Sequence, residues 1–292
     1  MVNKLVFAQR FLLLVAPLIT GVLAPLVIGI GASPSQAATL AASKATVELN
    51  NFSYNPQAIS TLTGTNTFTS VSDTSVTAEA DANAIGNFDP NNPPTGFYNF
   101  SSSITSSQGS KDFGLAQSQA GVMGYDFILG SGETFSFDFQ AILDLVTSVD
   151  NPKLESTSAD GSIVLELYDS TDPNNLLSLD YLTISGHLAT PGNSSSLAIN
   201  RSADISFDSI GTSIGATEQS NQVSIQGSLS RTFDRETHLT LEEFKTNQAS
   251  VGVPVPEPST NLAIPFSLGL ICMGKTMTRK VKSGLKLPNN PN

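Results

Sequence analysis

Apolar and polar residues alternate with a period of two through much of this chain, and no other feature constrains its fold as strongly. The clearest stretch has apolar side chains at every second position, namely Phe135, Phe137, Phe139, Ala141, Leu143 and Leu145. Most of the positions between them are polar or acidic. Because successive side chains of a β-strand point to opposite faces of the sheet, this pattern predicts a long strand with one buried face.

Shorter segments with the same period, separated by turn-forming residues, predict about ten to thirteen strands in all. Gly130-Ser131-Gly132 precedes the strand at Phe135 and predicts a hairpin with 125–129. Between the two termini no segment has a sustained helical period. We therefore expect an all-β fold, an antiparallel β-sandwich with a jelly-roll-like arrangement. The other candidate strands are 45–49, 58–63, 66–71, 76–82, 162–168, 176–185, 203–210, 222–233 and 237–244.

The C-terminal end combines an extended spacer, an apolar stretch and a basic tail. Segment 253–258 is rich in proline, which fixes φ and lacks an N–H donor, so it cannot join a helix or a central strand. It is predicted to be extended and exposed, as cleavage by another protein requires. The apolar stretch 262–273 is shorter than the ~20 residues of a spanning helix, although Lys275 could reach the membrane surface. The basic residues are Lys275, Arg279, Lys280, Lys282 and Lys286.

This tail resembles the PEP-CTERM sorting signal of bacterial exported proteins. Pro256, Glu257 and Pro258 match the motif, and the apolar and basic residues follow in the family's order. In that family the signal is read by exosortase, a membrane-embedded processing enzyme of Gram-negative bacteria that make exopolysaccharide. The resemblance implies an exosortase-type partner and a location in the cell envelope, on the outer surface or in the extracellular matrix. The residues alone also fit a Pro-rich linker with a short hydrophobic tail.

The N-terminal end has the order of a secretory signal peptide. Lys4 and Arg10 precede an apolar run over 11–30, and small residues follow. Small side chains at the −3 and −1 positions predict cleavage between Ala37 and Ala38. The apolar run is long, so an uncleaved membrane anchor is the alternative.

The two ends divide the chain into four parts. We predict a signal peptide at 1–37, a β-sandwich body at 38–250, a Pro-rich linker with the sorting motif at 251–260, and an apolar segment with a basic tail at 261–292. Each terminal segment is expected to form a helix and to associate transiently with a membrane.

The body is acidic and has no cysteine. Residues 39–256 contain 7 basic and 24 acidic residues, a net charge of −17. Such a surface repels phosphate backbones, which argues against nucleic-acid binding. Because the single cysteine, Cys272, lies in the apolar tail, a body without disulfides must be stabilised by its core and its hydrogen bonds.

Motifs for catalysis or metal binding are weak. Segment 211–215 matches a Gly-x-Ser-x-Gly nucleophile elbow, with Asp234 and His238 following in hydrolase order. That elbow requires a strand, a turn and a helix, whereas the residues after it favour a turn and a strand. His187 and His238, the only histidines, have no metal-ligand spacing. We therefore assign no catalytic residue, no metal and no cofactor.

The tetrapeptide Asp-Pro-Asn-Asn occurs twice, at 89–92 and 172–175. Proline followed by asparagine predicts a turn in each case. A calcium site built from Asp169, Asp172 and Asn174 is the alternative, because calcium prefers oxygen ligands gathered in one loop.

Together these patterns predict an exported, non-catalytic surface or matrix protein, with exopolysaccharide as a further candidate partner. A glycan-binding module, with or without calcium, is the first alternative. A secreted hydrolase with an unrecognised site is the second.

Overall fold

A computed structural model of the 292-residue chain describes residues 39–71, 75–89, 95–108, 112–191, 194–215 and 219–252. These residues form twelve β-strands and no helix. The strands are β1 (Thr39–Asn50), β2 (Ala58–Ser70), β3 (Val76–Asn87), β4 (Gly96–Ser107), β5 (Phe113–Leu129), β6 (Thr134–Ser148), β7 (Ser156–Asp169), β8 (Leu177–Thr190), β9 (Ser194–Arg201), β10 (Ile205–Gly215), β11 (Gln219–Thr232) and β12 (Thr237–Gly252).

The strands form two six-stranded sheets. Sheet 1 has the order β10-β11-β6-β1-β4-β3, and sheet 2 has the order β2-β5-β12-β7-β8-β9. Neighbouring strands are antiparallel in both sheets. This confirms the prediction of an all-β, antiparallel fold, and the arrangement is that expected of a β-sandwich.

The period-two pattern gives the buried faces correctly. On β6 the six alternating apolar residues that start at Phe135 are each at most 4% exposed. On β11 the odd-numbered residues Val223, Ile225 and Leu229 are also buried. These side chains join residues of sheet 2, such as Leu165 and Leu241, in one apolar cluster between the sheets.

Aromatic rings fill one end of this core. Phe52 lies in the loop after β1, and edge-to-face and stacked ring pairs such as those it makes are favourable beyond the area that they bury. The loop is thereby fixed to both sheets. The ring centroid of Phe52 lies 5.0–6.3 Å from those of Phe88, Phe97, Phe127, Phe135 and Phe137.

The turn at Gly130–Gly132 is present, but the hairpin predicted there is wrong. The Glu133 amide donates to the Gly130 carbonyl at 3.3 Å, which closes the turn. Its two strands belong to different sheets, β5 to sheet 2 and β6 to sheet 1. Turn residues specify only that the chain reverses. The rings of Phe127 and Phe135 pack against each other with their centroids 4.9 Å apart. Burial of these two rings explains why β5 and β6 face each other across the core and do not pair within one sheet.

Several strand predictions need correction. Segment 58–63 and all but the last residue of segment 66–71 are parts of the single strand β2. The final strand, predicted over 237–244, continues to Gly252 and so includes the first two residues of the predicted linker 251–260. The alternation also missed β4 and β9. The inward positions of β4 are mostly serine, threonine and asparagine, and β9 is an exposed edge strand, so neither presents an apolar stripe.

The strand order does not have the arrangement of a jelly roll. In that fold the first and last strands are neighbours in one sheet, whereas here β1 lies between β4 and β6, and β12 lies in the other sheet. The sequence pattern identifies buried faces, but it does not specify which strands become neighbours.

Both predicted flanking helices, in 1–37 and 261–292, lie outside the described residues. Across the part of the chain that the structure describes, no helix has the length and apolar character needed to cross a membrane.

Candidate functional site

The residues predicted to direct sorting and cleavage lie outside the described part of the chain. These are Pro256, Glu257 and Pro258 of the C-terminal motif, and Ala37 and Ala38 of the leader. The structure describes the chain from Thr39, which begins β1, to Gly252, which ends β12.

The elbow-like segment is part of a strand. Ser213 lies on β10 opposite Gln222 of β11. Asp234 and His238 follow the other end of β11, beyond Thr232. Ten residues separate Gln222 from Thr232 along that strand, which at ~3.3 Å per residue is roughly 30 Å. The structure therefore does not bring this serine together with the aspartate and the histidine.

The second Asp-Pro-Asn-Asn segment forms the predicted turn. The Asn175 amide donates to the Asp172 carbonyl at 3.0 Å, and the Asn174 amide donates to Asp172 Oδ1 at 3.0 Å. The other proposed calcium ligand, Asp169, accepts hydrogen bonds from the Thr171 amide and from Arg235. These contacts lower the pKa of Asp169 against the opposing effect of partial burial. Among the described residues, no group of three or more histidine, cysteine, aspartate or glutamate side chains is arranged to hold a metal.

The two histidines lie apart on sheet 2. His187 of β8 contacts Asp160 of β7, with Nδ1 and Oδ1 2.6 Å apart, and the two residues are directly opposite each other across the strands. His238 of β12 lies 3.6 Å from Asp126. Each histidine therefore belongs to a local pair with one carboxylate.

An acidic cluster occupies the outer face of sheet 2. Glu242 of β12 lies directly opposite Glu166 of β7. Burial, reinforced by the charges of Glu166 and Glu243, raises the pKa of Glu242 to about 7. Burial and the nearby carboxylates also raise the pKa of Tyr168, which hydrogen-bonds to Glu166.

A second cluster of polar groups is buried between the two sheets. The inward face of β12 is apolar at both ends, but Glu243, Lys245 and Asn247 occupy its centre and are at most 3% exposed. They face the inward residues of β4, where Asn99 and Ser101 are fully buried. We call these five residues, together with Ser43, Ser103 and Ser118, the buried polar cluster.

Glu243 connects the charged part of this cluster to sheet 1. Its Oε1 lies 2.9 Å from Lys245 Nζ on the same strand. Its Oε2 accepts a hydrogen bond from Asn99 Nδ2 of β4. One carboxylate thus holds an amine and a carboxamide, one on each of its oxygens.

Burial opposes both charges of the pair. It raises the pKa of Glu243, and the positive charge of Lys245 only partly offsets this effect. It lowers the pKa of Lys245 in the same way, against the attraction of Glu243. Removing two ions from water is costly, and a single close contact does not repay the whole cost. The environment therefore favours the neutral amine and the neutral acid more than water does.

Asn247 belongs to a complete hydrogen-bond network. Its Oδ1 accepts from Ser43 Oγ at 2.6 Å, and its Nδ2 donates to the carbonyl of Ser101 at 3.2 Å. Ser103 Oγ contacts the Asn247 carbonyl at 3.1 Å and Ser118 Oγ at 3.0 Å. These bonds connect β1 and β4 of sheet 1 with β5 and β12 of sheet 2.

Sequence reasoning missed this cluster, although a signal for it exists. From Leu239 to Val251, every second residue of β12 is buried, and the apolar alternation is interrupted only by Glu243, Lys245 and Asn247. Polar residues on the inward phase of an otherwise apolar strand indicate a buried polar site. The predicted strand 237–244 includes only Glu243 of these three residues, and a single polar residue at the end of a strand does not indicate a buried site.

A small pocket of about 230 Å³ lies between the edge strand β9 and strands β10 and β11. Ligand sites are commonly larger, roughly 300–1,000 Å³. Five of the six lining residues have a hydroxyl or a carboxamide group, although most of the lining surface is apolar. The lining residues are Ser195, Leu197, Thr212, Ser213, Asn221 and Gln222.

Comparisons of the chain with protein-family models, with curated proteins and with solved structures found no match. The class of protein is therefore defined by the fold alone, as an all-β protein of two antiparallel sheets.

Proposed function

We propose that this chain is an exported, non-catalytic protein of the cell surface or extracellular matrix, sorted through its PEP-CTERM-like tail. The observation that carries the proposal is the tail, in which Pro256, Glu257 and Pro258 precede an apolar stretch and a basic end. The leader, with its predicted cleavage between Ala37 and Ala38, supports it. An exosortase-type enzyme would process the tail of a chain delivered to the envelope of a Gram-negative bacterium.

The composition of the body supports the same proposal. A net charge of −17 over residues 39–256 keeps a protein soluble outside the cell. Two six-stranded sheets form the body without any cysteine, so it does not depend on disulfide formation during export.

Mass spectrometry of the mature protein from its host tests both targeting signals. We expect an N-terminus at Ala38 and a C-terminus within 256–259. Recovery of the intact 292-residue chain from the cytosol would overturn the proposal.

Single substitutions separate the two signals. Glu257→Gln should leave the tail unprocessed, whereas Glu236→Gln, which removes the same charge from an exposed turn, should not. Ala37→Leu should block removal of the leader, and Ala32→Leu, outside the −3 and −1 positions, should not. Normal processing of the Glu257→Gln variant would mean that the motif is not read.

The pocket at β9–β11 favours glycan binding as a second candidate function. Uncharged hydroxyl and carboxamide groups around Leu197 match the hydroxyl groups of a neutral saccharide. Titration calorimetry with the host exopolysaccharide, with and without calcium, tests it. Gln222→Ala should weaken binding at least severalfold, and Ser209→Ala, on β10 outside the pocket, should leave it unchanged. Absence of binding at millimolar saccharide would reject this candidate.

A further inference from the structure

Three reactive groups meet where β4 of sheet 1 crosses β12 of sheet 2. The carboxylate of Glu243 contacts Lys245 Nζ through one oxygen and Asn99 Nδ2 through the other. Lys245 and Asn99 are 0% exposed and Glu243 is 1% exposed, so water is excluded from all three. A primary amine, a carboxamide and a carboxyl group are therefore held together in a dry site.

Hydrogen bonding in this site is incomplete. Lys245 Nζ and Glu243 Oε1 lie 2.9 Å apart as an ion pair, but neither makes a hydrogen bond, and buried Asn99 Oδ1 has no hydrogen-bond partner among the described residues. Buried polar groups in native proteins are nearly always paired, and an unpaired one calls for a specific explanation. Here the three atoms that lack hydrogen bonds belong to neighbouring groups that can react with one another.

We propose that Lys245 Nζ and Asn99 Cγ become joined by an intramolecular amide (isopeptide) bond, with Glu243 transferring the protons. The bond would connect sheet 1 to sheet 2 covalently, through side chains that are 146 residues apart in the chain. It would give a body without cysteine a permanent cross-link.

The reaction balances without any added reagent. Lys245 first passes a proton to Glu243, which produces a neutral amine and a carboxylic acid. The Nζ lone pair attacks Asn99 Cγ and forms a tetrahedral intermediate with its negative charge on Oδ1. Glu243 then delivers its proton to Nδ2 and takes another from Nζ, so it is again a carboxylic acid. The Cγ–Nδ2 bond breaks and ammonia leaves, so the products are an amide, a protonated Glu243 and NH₃.

The environment favours each step. Desolvation lowers the pKa of Lys245 and so makes the nucleophilic amine more accessible than in water. Desolvation also raises the pKa of Glu243, and the acid that remains at the end is therefore stable in its buried position. The contact between Glu243 Oε2 and Asn99 Nδ2 places the proton donor at the leaving nitrogen. The cross-link also replaces a buried ion pair by neutral groups.

The structure distinguishes Asn99 from the other buried asparagine of the cluster. Asn247 accepts a hydrogen bond from Ser43 at its Oδ1 and donates one to Ser101 from its Nδ2, so neither side-chain atom is bonded to Glu243. Asn99 has a free Oδ1 and donates to the carboxylate that also contacts the amine. Asn99 is therefore the assigned electrophile.

Intact-protein mass spectrometry of the purified wild-type chain tests the proposal directly. We expect a mass about 17 Da below that of the same processed chain without the cross-link, corresponding to one NH₃ lost when the amine displaces the amide nitrogen. Trypsin does not cleave after an acylated lysine. The digest should therefore contain a branched peptide in which 45–111 is attached to a peptide that begins at Glu236 and continues past Lys245.

Matched variants separate the cross-link from other losses of ammonia. Lys245→Arg should have the unshifted mass, and Lys44→Arg, on the outer face of β1, should remain cross-linked. Glu243→Gln keeps both reactants but removes the proton carrier, and should slow formation by about 100-fold. Circular dichroism of each variant checks that it is folded.

Two results would overturn the proposal. One is a folded wild-type protein with the full mass and ordinary tryptic peptides ending at Lys245. The other is a loss of ammonia that maps to a succinimide or to a branch at a residue other than Asn99.

Discussion

Glu242 and Glu243 are adjacent in sequence, but they lie on opposite faces of sheet 2. Glu243 is between the sheets and has Lys245 as a cation beside it. Glu242 is on the outer face, directly opposite the carboxylate of Glu166. Burial raises the pKa of both residues, but only for Glu243 does a positive charge oppose the shift. Ionisation of Glu242 therefore disfavours the folded state.

Substitution of Glu242 should change how stability depends on pH. The pKa of Glu242 is about 7 in the folded protein, against 4.5 for an ordinary glutamate. Between these values the folded state keeps a proton that the unfolded state releases. The stability that this proton contributes is complete below the pKa of Glu242 in the unfolded state. It is lost as the pH rises through the pKa of Glu242 in the folded state. From pH 5 to pH 8, Glu242→Gln should gain about 1–3 kcal/mol in unfolding free energy relative to wild type.

Urea denaturation at a series of pH values measures this gain. Glu236→Gln is the control, because it removes a glutamate from the exposed loop that precedes β12. Its stability curve should run parallel to that of the wild type. If the stability curve of Glu242→Gln also ran parallel to that of the wild type, the prediction would be contradicted.

At the scale of elements, β4 and β12 each bury several consecutive polar residues on their inward faces. In β4 only Phe97 is apolar among the buried residues, and Asn99 and Ser101 face the centre of β12. Burying such groups is costly unless they are hydrogen-bonded. The hydrogen bonds of Asn247 satisfy part of this requirement. The polar inward residues of β4 and β12 are therefore complementary to each other.

The pairing of β10 with β11 depends on a glycine where the register shifts. A Cβ atom at Gly227 would lie 2.1 Å from the Ser206 carbonyl oxygen and 2.8 Å from Phe139 Cζ. Because the first of these atoms is backbone, the strand would have to move. Gly227→Ala should therefore destabilise the protein by about 2–4 kcal/mol in a urea or thermal denaturation.

Gly211→Ala is the matched control on the neighbouring strand. Its Cβ would meet only the Ser224 carbonyl oxygen, at 4.0 Å. We expect a change within about 0.5 kcal/mol. Equal effects of the two substitutions would show that strand propensity, not the close contact at Gly227, determines the cost.

At the scale of the whole molecule, the acidic charge should make stability depend on salt. A net charge of −17 over residues 39–256 repels itself in the compact state. Raising NaCl from about 0.01 M to about 0.5 M shortens the Debye length from ~30 Å to only a few Å and should raise Tm by about 2–5 °C.

Divalent cations separate general screening from specific binding. Calcium and magnesium at equal ionic strength should shift Tm equally, as measured by differential scanning calorimetry. A larger shift with calcium would contradict an account based on screening alone and would favour the calcium-dependent form of the glycan-binding alternative.

The regularity of the alternation decides how much of this fold is predictable. Residues 135–145 lie within β6 and residues 222–232 within β11, and the apolar residues of each have the predicted buried face. β4 was missed because its buried residues after Phe97 are serine, threonine and asparagine. Whether such polar residues face inward depends on hydrogen-bond partners in another strand. The sequence pattern within one strand contains no information about those partners.

The same limit applies to the candidate site. Glu243 and Lys245 are two positions apart in sequence, so their common face follows from the strand period alone. Asn99 is on a strand of the other sheet, and no spacing in the sequence relates it to them. The contact between them exists only after the sheets have packed.

The sequence by itself determined that the protein is all-β, which residues of its regular strands are buried, and where its two targeting signals are proposed. Each of these depends on neighbouring residues, through the period of two or through a short ordered motif. Only the tertiary structure decided which strands pair, that the turn at Gly130–Gly132 joins two sheets, and that Lys245, Glu243 and Asn99 meet. These depend on packing between residues far apart in the chain, because burying both apolar faces together is what brings the sheets into contact.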